Sequence, residues 1–361
     1  MKQGITISLC MIVKDEEDVI ERCIRSVLSA LDEIIIVDTG SNDRTKEIAL
    51  SLGATVYDME WQDNFGLARN FAFSKATKDY IMWLDADDIM TEDNLQRLLE
   101  LKKNLDNNVD SVTMTYVLAE DSNGNPTSSL RRNRLVKREK GFQWIGKIHE
   151  YLAVHGNIIN ADASIHHRKI KSSSGRNLRI YKGMIDEGEE LSVRDMFYYA
   201  NELFYNGYHD EAIEQYSKFL DTKAGWIEDV KTTLSNMSEC YSAKEDTDNQ
   251  LKCLLRAFEY DVPRSDFCCK IAYCFFHKNM INNDLFCYNL AIETPPDKDN
   301  LSLVNHSTYT WIPNIQLCVC YSRLEEYDLA NEFNEKAGEF IPDDPMIIHN
   351  RNFLRDKISK D

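Results

Sequence analysis

Tyr80-Ile81-Met82-Trp83-Leu84-Asp85-Ala86-Asp87-Asp88 joins an apolar run directly to a cluster of carboxylates. The apolar, mostly β-favouring residues predict a buried strand. The aspartates then fall where that strand leaves the core. Crowded carboxylates repel one another unless a cation joins them. Strand ends of open α/β sheets are also where ligands bind. One reading is therefore a divalent metal that carries a phosphorylated ligand. The plainer alternative is an acidic turn that caps the next helix, because Asp favours turns and N-caps.

Working outward, short apolar runs alternate with amphipathic segments up to about residue 170. Ile5 to Val13 reads as a strand, Asp18 to Ala30 as a helix, and Glu33 to Val37 as a second buried strand ending at Asp38-Thr39-Gly40-Ser41. Asp43 to Leu52 predicts a helix, Ala54 to Tyr57 a strand, and Asn64 to Ala76 a helix leading into the Tyr80 strand. Alternating β and α units at this spacing predict a parallel sheet covered by helices on both faces. Strands ending at Asp15-Glu16, at Asp38 and at Asp85 to Asp88 would gather carboxylates along one sheet edge, where a nucleotide could lie.

Behind residue 190 the period changes. Tyr241, Phe275 and Tyr321 are each followed sixteen positions later by Ala257, Ala291 and Ala337. Pro263, Pro296 and Pro342 follow at twenty-one or twenty-two positions. The 34-residue step from Tyr241 to Phe275 is the tetratricopeptide period. A less regular copy is expected through Phe204, Tyr208 and Ala212, and an insertion around Asp297 to Ser307. The organisation expected is a front domain over residues 1–172, a linker with a connecting helix over 173–190 (Asn177 to Ile185 being the amphipathic part), and helical repeats over 191–361.

Bulk properties narrow the function. The chain has 361 residues, 43% of them hydrophobic and 28% charged, which excludes global disorder. A net charge of -18 argues against nucleic acid as a partner. The charge is -5 through Glu189 and -13 beyond it, so the repeats form the acidic part and would suit a basic peptide. No apolar run is long enough to predict a transmembrane segment, and Lys14-Asp15-Glu16-Glu17-Asp18 interrupts any signal-peptide pattern. The ten cysteines form no C-x-x-C motif and most fall on helix faces, so a reducing, cytoplasmic location is expected.

The front half resembles the family-two, inverting GT-A glycosyltransferases, which use nucleotide-diphosphate sugars. The resemblance rests on Ser8-Leu9-Cys10-Met11-Ile12-Val13-Lys14-Asp15-Glu16, on Ile36-Val37-Asp38-Thr39-Gly40-Ser41-Asn42-Asp43-Arg44-Thr45, on Trp61, Phe65 and Ala68-Arg69-Asn70, and on Trp83 to Asp88. A tetratricopeptide tail behind such a domain is similar to the branch containing sublancin-type bacteriocin peptide S- and O-glycosyltransferases. The fold implied is an α/β GT-A (Rossmann-like) nucleotide-sugar domain followed by an all-α tetratricopeptide-like repeat domain. The activity implied is hexosyl transfer with inversion, with Mg²⁺ or Mn²⁺ as cofactor and a nucleotide-diphosphate sugar, a UDP-sugar first, as donor.

Carried over by position, the resemblance implies that Glu16 contacts uracil or ribose, with Asp15 standing where the family usually has Asn. It implies Asp38 at the base or ribose, Arg69 at the sugar or diphosphate, Asp85 near ribose or sugar, and Asp87 on the metal. The chemistry suits those residues: negative charge accumulates on the departing diphosphate, and carboxylates hold the hard cation that neutralises it. Inversion needs a base opposite the leaving group. Trp144-Ile145-Gly146-Lys147-Ile148-His149-Glu150 offers Glu150 as that base and His149 as its partner or rival. Of the adjacent His166 and His167, only one can face the metal from a strand, and His167 fits the family's late metal-ligand histidine. The basic run Arg131-Arg132-Asn133-Arg134 reads either as a solvated strand edge or as a diphosphate contact, with Arg134 the candidate. Trp61, Trp83 and Trp144 could stack on sugar, although core packing is the ordinary reading.

Acceptors left open are a peptide Ser, Thr or Cys side chain bound with help from the repeats, and a glycan or lipid-linked sugar. The repeats could also form a homodimer. Two other classes compete: a nucleotidyltransferase, which would want a basic glycine-rich loop in place of Lys14-Asp15-Glu16-Glu17, and a non-catalytic repeat scaffold with a degenerate front domain.

Overall fold

The computed structural model describes residues 4–121, 124–170, 175–262, 264–296 and 304–358. The chain divides into two compact units, one running to Gly183 and the other starting at Met184. Lys171 to Ser174, at the end of the expected front domain and the start of the expected linker, Pro263, and the first part of the expected insertion lie outside the described residues.

In the front unit, β1 (Ile7–Val13), α1 (Ile20–Val27), β2 (Glu33–Asp38), α2 (Thr45–Ser51), β3 (Thr55–Asp58), α3 (Phe65–Lys75) and β4 (Tyr80–Trp83) follow the expected order. Then come β5 (Asp88–Ile89), α4 (Glu92–Asn104), β6 (Ser111–Glu120), β7 (Pro126–Lys137), β8 (Trp144–Ile145), β9 (Tyr151–Leu152), β10 (Ile158–His167) and α5 (Arg176–Asp186). The sheet order is β3-β2-β1-β4-β7-β6-β10-β5. Its first four strands are parallel. Beyond them β7 runs antiparallel to both β4 and β6, so the sheet is mixed where the βαβ rhythm alone implied a parallel one.

Strand alternation supplies two cores. Leu9, Met11, Ile34, Ile36, Tyr80 and Met82 face Ile20, Cys23, Ile24 and Val27 of α1. Cys10, Ile35, Val37, Ile81 and Trp83 pack with Ala72 and Phe73 of α3 on the opposite side. The i, i+3, i+4, i+7 spacing in α1 is the apolar stripe of a half-buried helix, and each buried aliphatic contributes about 1.5–3 kcal/mol. On α3 the side chain of Asn64 accepts from Leu67 N at 2.8 Å, which starts the helix at the expected residue.

In the second unit, α6 (Val193–Tyr205) pairs with α7 (His209–Asp221), α8 (Ile227–Ala243) with α9 (Thr247–Arg256), α10 (Ser265–His277) with α11 (Ile281–Glu293), and α12 (Trp311–Arg323) with α13 (Tyr327–Gly338), ahead of α14 (Pro345–Ile358). The carbonyls of Tyr241, Phe275 and Tyr321 accept from the amides of Asp246, Met280 and Glu326 at 2.9, 3.0 and 3.0 Å. The residue before each donor, Glu245, Asn279 or Glu325, is left-handed. That closure lets each hairpin reverse within a few residues. The small Ala257, Ala291 and Ala337 are buried, as the repeat pattern required. The first hairpin closes from Tyr208 N to Leu203 O at 2.9 Å around Gly207, so the copy read through Phe204 is one residue out of phase. Leu203 stands at the aromatic position, which is why the pattern missed it.

One repeat carboxylate is poorly placed for charge. Burial of Asp229, in the first turn of α8, pushes its pKa up to about 6; Arg194 opposes this and Glu228 adds to it. The unfolded value is about 3.9, so the folded state binds the extra proton. Stability from this group therefore falls as pH rises from about 4 through 6. Asp229→Asn is expected to remove that fall and to stabilise the protein by about 1–2 kcal/mol at pH 7, since the helix N-terminus already offsets part of the cost. Denaturant midpoints at pH 4 and pH 7 check this; an equal effect at both would refute it.

Candidate active site

β1 lies between β2 and β4, with Val13 opposite Asp38 and Cys10 opposite Trp83. The loops that follow these three strands therefore emerge at one sheet edge. Polar residues lace the first two together. Asp15, with φ of 54°, donates its amide to Ser41 Oγ at 2.9 Å and accepts from Asn42 N at 2.7 Å. Glu16 N donates to Thr45 Oγ1 at 2.7 Å, which leaves the Glu16 side chain half-buried beside the second loop. Asp38 is buried. Its Oδ1 accepts from the amides of Gly40 and Ser41 at 3.0 and 2.8 Å, while Oδ2 is buried without a partner. A buried carboxylate oxygen left open is a place for a ligand donor such as an imide or a ribose hydroxyl.

Arg69, from α3, forms the next part. Its Nε donates to Glu150 Oε1 at 2.6 Å and its Nη2 to Asp85 Oδ1 at 2.7 Å. The guanidinium lies against the edge-to-face pair of Trp83 and Trp144, 5.0 and 4.9 Å from their centroids. Burial works against the charge, but Asp85 and Glu150 more than offset it and raise the Arg69 pKa. Asp85 in turn is pushed up by burial yet held at about 2 by Arg69 and Arg134. Trp83 and Trp144 thus meet an arginine, and the possibility that they stack on sugar gives way to that contact.

Local backbone delivers Glu150 to Arg69. Gly146 has φ of 105° and His149 of 48°. Phe65 N donates to Lys147 O at 2.7 Å. A Cβ on Gly66 would lie 2.3 Å from Gly146 O, so the first turn of α3 admits no side chain there. His149 stacks on Tyr181, with ring centroids 6.3 Å apart.

Past Asp85 the chain turns sharply. Asp88 N donates to Asp85 O at 3.0 Å, and Asp85 N donates to Asp88 Oδ2 at 3.1 Å. Asp88 is fully buried and accepts from the Tyr116 hydroxyl at 2.8 Å. It pairs with Arg134 Nη1 at 3.0 Å. Pairing of β10 with β5 sets His167 opposite Asp88. His167 Nδ1 lies 2.8 Å from the Tyr116 hydroxyl, 3.4 Å from Asp87 Oδ1 and 3.5 Å from Asp88 Oδ1. His166 faces the other way and meets Glu120 at 2.6 Å. Burial pushes the Asp87 pKa up; His167 opposes this, and Asp85 and Asp88 add to it. The hydrogen bond to Asp88 raises the His167 pKa against burial, with Asp87 adding.

Asp87, Asp88 and His167 have ligand atoms within 4.8 Å of one another. Their oxygen and imidazole donors suit Mg²⁺ or Mn²⁺. Asp88 already serves Arg134, Tyr116 and the Asp85 amide, so Asp87 and His167 are the pair with capacity left. Arg134 needs correction as a diphosphate contact. It is completely buried, packed between Trp83 and Tyr116 at 3.9 and 4.3 Å from their centroids, and it neutralises Asp88 from behind. Asp88 and Tyr116 were not singled out from sequence. Asp88 belonged to the aspartate cluster, but Tyr116 carried no signal outside its strand pattern.

Residues 8–166 match the model of the family described as Glycosyl transferase family 2, so this part of the chain is a family-two glycosyltransferase domain. A TPR repeat-containing protein of Synechococcus elongatus is 38% identical over 144 residues, 40% of this chain and 34% of that one. The SPbeta prophage-derived glycosyltransferase SunS of Bacillus subtilis is 27% identical over 237 residues, 60% of this chain and 53% of that one. An uncharacterised glycosyltransferase of Rickettsia bellii is 40% identical over 87 residues, 24% of this chain and 29% of that one. The chain thus spans about a third to a half of these relatives. Glucosyl-3-phosphoglycerate synthase from Mycobacterium tuberculosis superposes with a TM-score of 0.36 and 17% identity over 52% of this chain and 82% of that one.

Proposed function

We propose that this chain is a metal-dependent inverting glycosyltransferase that moves a sugar from a nucleotide-diphosphate sugar, a UDP-sugar first, to a peptide Ser, Thr or Cys side chain. The observation that carries this reading is Arg69, which joins Asp85 to Glu150 beside the Asp87–His167 pair. Donor-side and acceptor-side carboxylates are thereby held on one guanidinium.

In this reading Glu16 and Asp38 receive the nucleoside, Asp38 through its open Oδ2. Asp87 and His167 would hold Mg²⁺ or Mn²⁺, which supplies Lewis-acid neutralisation of the diphosphate as it leaves. Arg69 fixes Asp85 and Glu150 and adds positive charge near the donor. Glu150 takes the proton from the acceptor hydroxyl or thiol. The acceptor oxygen or sulfur forms its bond to the anomeric carbon on one face while the carbon–oxygen bond to the diphosphate breaks on the other. The acidic helical repeats bind the acceptor peptide, whose basic residues would complement them.

Release of nucleoside diphosphate from a panel of nucleotide sugars, with Mn²⁺ and then with excess chelator, tests the proposal. UDP-sugars are expected to turn over only with metal, and Asp87→Ala is expected to lose the metal-dependent part. Failure of every nucleotide sugar to bind at millimolar concentration with Mn²⁺ present would overturn it.

A further inference from the structure

α3 meets the segment that carries Glu150 along one of its sides. Gly66, Arg69 and Asn70 follow an i, i+3, i+4 spacing and so share that side of the helix. Gly66 backs onto Gly146 O, and Arg69 Nε holds Glu150 Oε1 at 2.6 Å. Asn70 makes the third contact: its Oδ1 accepts from Trp144 N at 2.8 Å, and its Nδ2 donates to Trp144 O at 2.9 Å. Both backbone groups of Trp144 thus end on one side-chain amide, as they would on a neighbouring strand. Trp144 belongs to the β8–β9 hairpin, which forms a two-stranded sheet apart from the main one. A ribbon of two strands is marginal by itself. Its register sets Trp144 opposite Leu152 and Ile145 opposite Tyr151, so Glu150 directly precedes the second strand. A shift of the hairpin therefore carries Glu150 with it.

We propose that Asn70 is a positioning residue for Glu150: its amide ties the β8–β9 hairpin to α3 and so fixes where the carboxylate meets the acceptor. The proposal rests on the reading of Glu150 as the base. α3 is a suitable anchor because Ala72 and Phe73 seat it in the core with Cys10, Val37 and Trp83 of the sheet. One rigid helix then relates the sheet edge that receives the donor to the hairpin that presents Glu150. The Arg69 bond alone leaves a long side chain at each end of the link, whereas Asn70 grips backbone. Asparagine is among the weaker helix formers, so its place inside α3 is explained by these two bonds and not by propensity. Its amide also fits in one orientation only, with oxygen toward the Trp144 N–H and nitrogen toward the Trp144 carbonyl.

The test compares the full-length wild type, Asn70→Ala, Glu150→Gln and the double variant. Transfer is measured at saturating donor, with the UDP-sugar that turns over fastest and a basic peptide containing Ser, Thr and Cys. Affinity for UDP with Mn²⁺ is measured separately by calorimetry. Asn70→Ala is expected to slow transfer by about 10²-fold, the cost of misplacing a reacting group by about 1 Å. UDP affinity is expected to hold, because Arg69 keeps Asp85. In the Glu150→Gln background the same change is expected to cost almost nothing more, since a residue acting through Glu150 then has nothing left to position. Costs that multiply in the double variant overturn the proposal. So does an Asn70→Ala enzyme that keeps its rate while Glu150→Gln is slow, or one that loses UDP affinity as steeply as rate. A Glu150→Gln enzyme at the wild-type rate shows instead that the base reading fails, and the proposal falls with it. Should Asn70→Ala not fold, Asn70→Asp carries the same comparison: it keeps the shape and the bond from Trp144 N, but a carboxylate cannot donate to Trp144 O.

Discussion

Glu150→Gln is expected to lower sugar transfer by about 10²–10⁴-fold, the usual contribution of a general base, while affinity for the nucleotide sugar stays close to that of the wild type. The separation follows from geometry. Glu150 Oε1 accepts from Arg69 Nε at 2.6 Å, and a glutamine carbonyl can accept the same bond. Arg69 would remain against Trp83 and Trp144 and would still hold Asp85. The donor side therefore survives and only proton acceptance is lost. His149→Ala should cost much less, because His149 spends its ring on Tyr181 whereas Glu150 sits on the guanidinium shared with the donor side. Transfer rates at saturating donor, with donor affinity measured separately by calorimetry, check both variants. A Glu150→Gln enzyme that keeps its rate, or a His149→Ala enzyme that loses more than the Glu150→Gln one, would move the base elsewhere.

Much of this site was legible because its signals are local. An apolar run entering Asp85 to Asp88 announces both a strand and its chemical end, and Asn64 announces where α3 begins. The laced loops after β1 and β2 were visible as a concentration of Asp, Ser, Asn and Thr, residues that bond backbone amides. What stayed hidden depends on strands paired across long separations. Arg134 looked like one more cation in Arg131-Arg132-Asn133-Arg134, since charge runs on strands usually face water. Register irregularities between β6 and β7 decide which of these side chains turns inward, and no local pattern encodes them. Arg131 is spent on Thr113 and Ala161, whereas Arg134 reaches the buried Asp88. Tyr116 was missed for the same reason: it lies 28 positions from Asp88 and 51 from His167, and only the sheet brings them together.

Arg134→Met should in turn be the most destabilising single change in the front unit that leaves the apolar core intact. Methionine fills much of the slot between Trp83 and Tyr116 and makes good sulfur–aromatic contacts, so the packing loss is small. The charge loss is not small. Asp88 would remain fully buried with its ionic partner gone, and breaking a buried pair on one side costs about 3–5 kcal/mol. For a unit of this size about 2–4 °C is lost per kcal/mol, so the unfolding midpoint should fall by about 6–20 °C. Adding Asp88→Asn removes the stranded charge while keeping an acceptor for Tyr116 and for the Asp85 amide, so the double variant should recover a large part of the loss. Thermal unfolding of the wild type, both single variants and the double variant measures this coupling directly. If the Arg134→Met cost is under about 1 kcal/mol, or if Asp88→Asn deepens it, the buried pair is not what supports the turn from Asp85 to Asp88. A large cost with rescue would mean that the charge beneath Asp87 is set from inside the sheet, by a fully buried side chain.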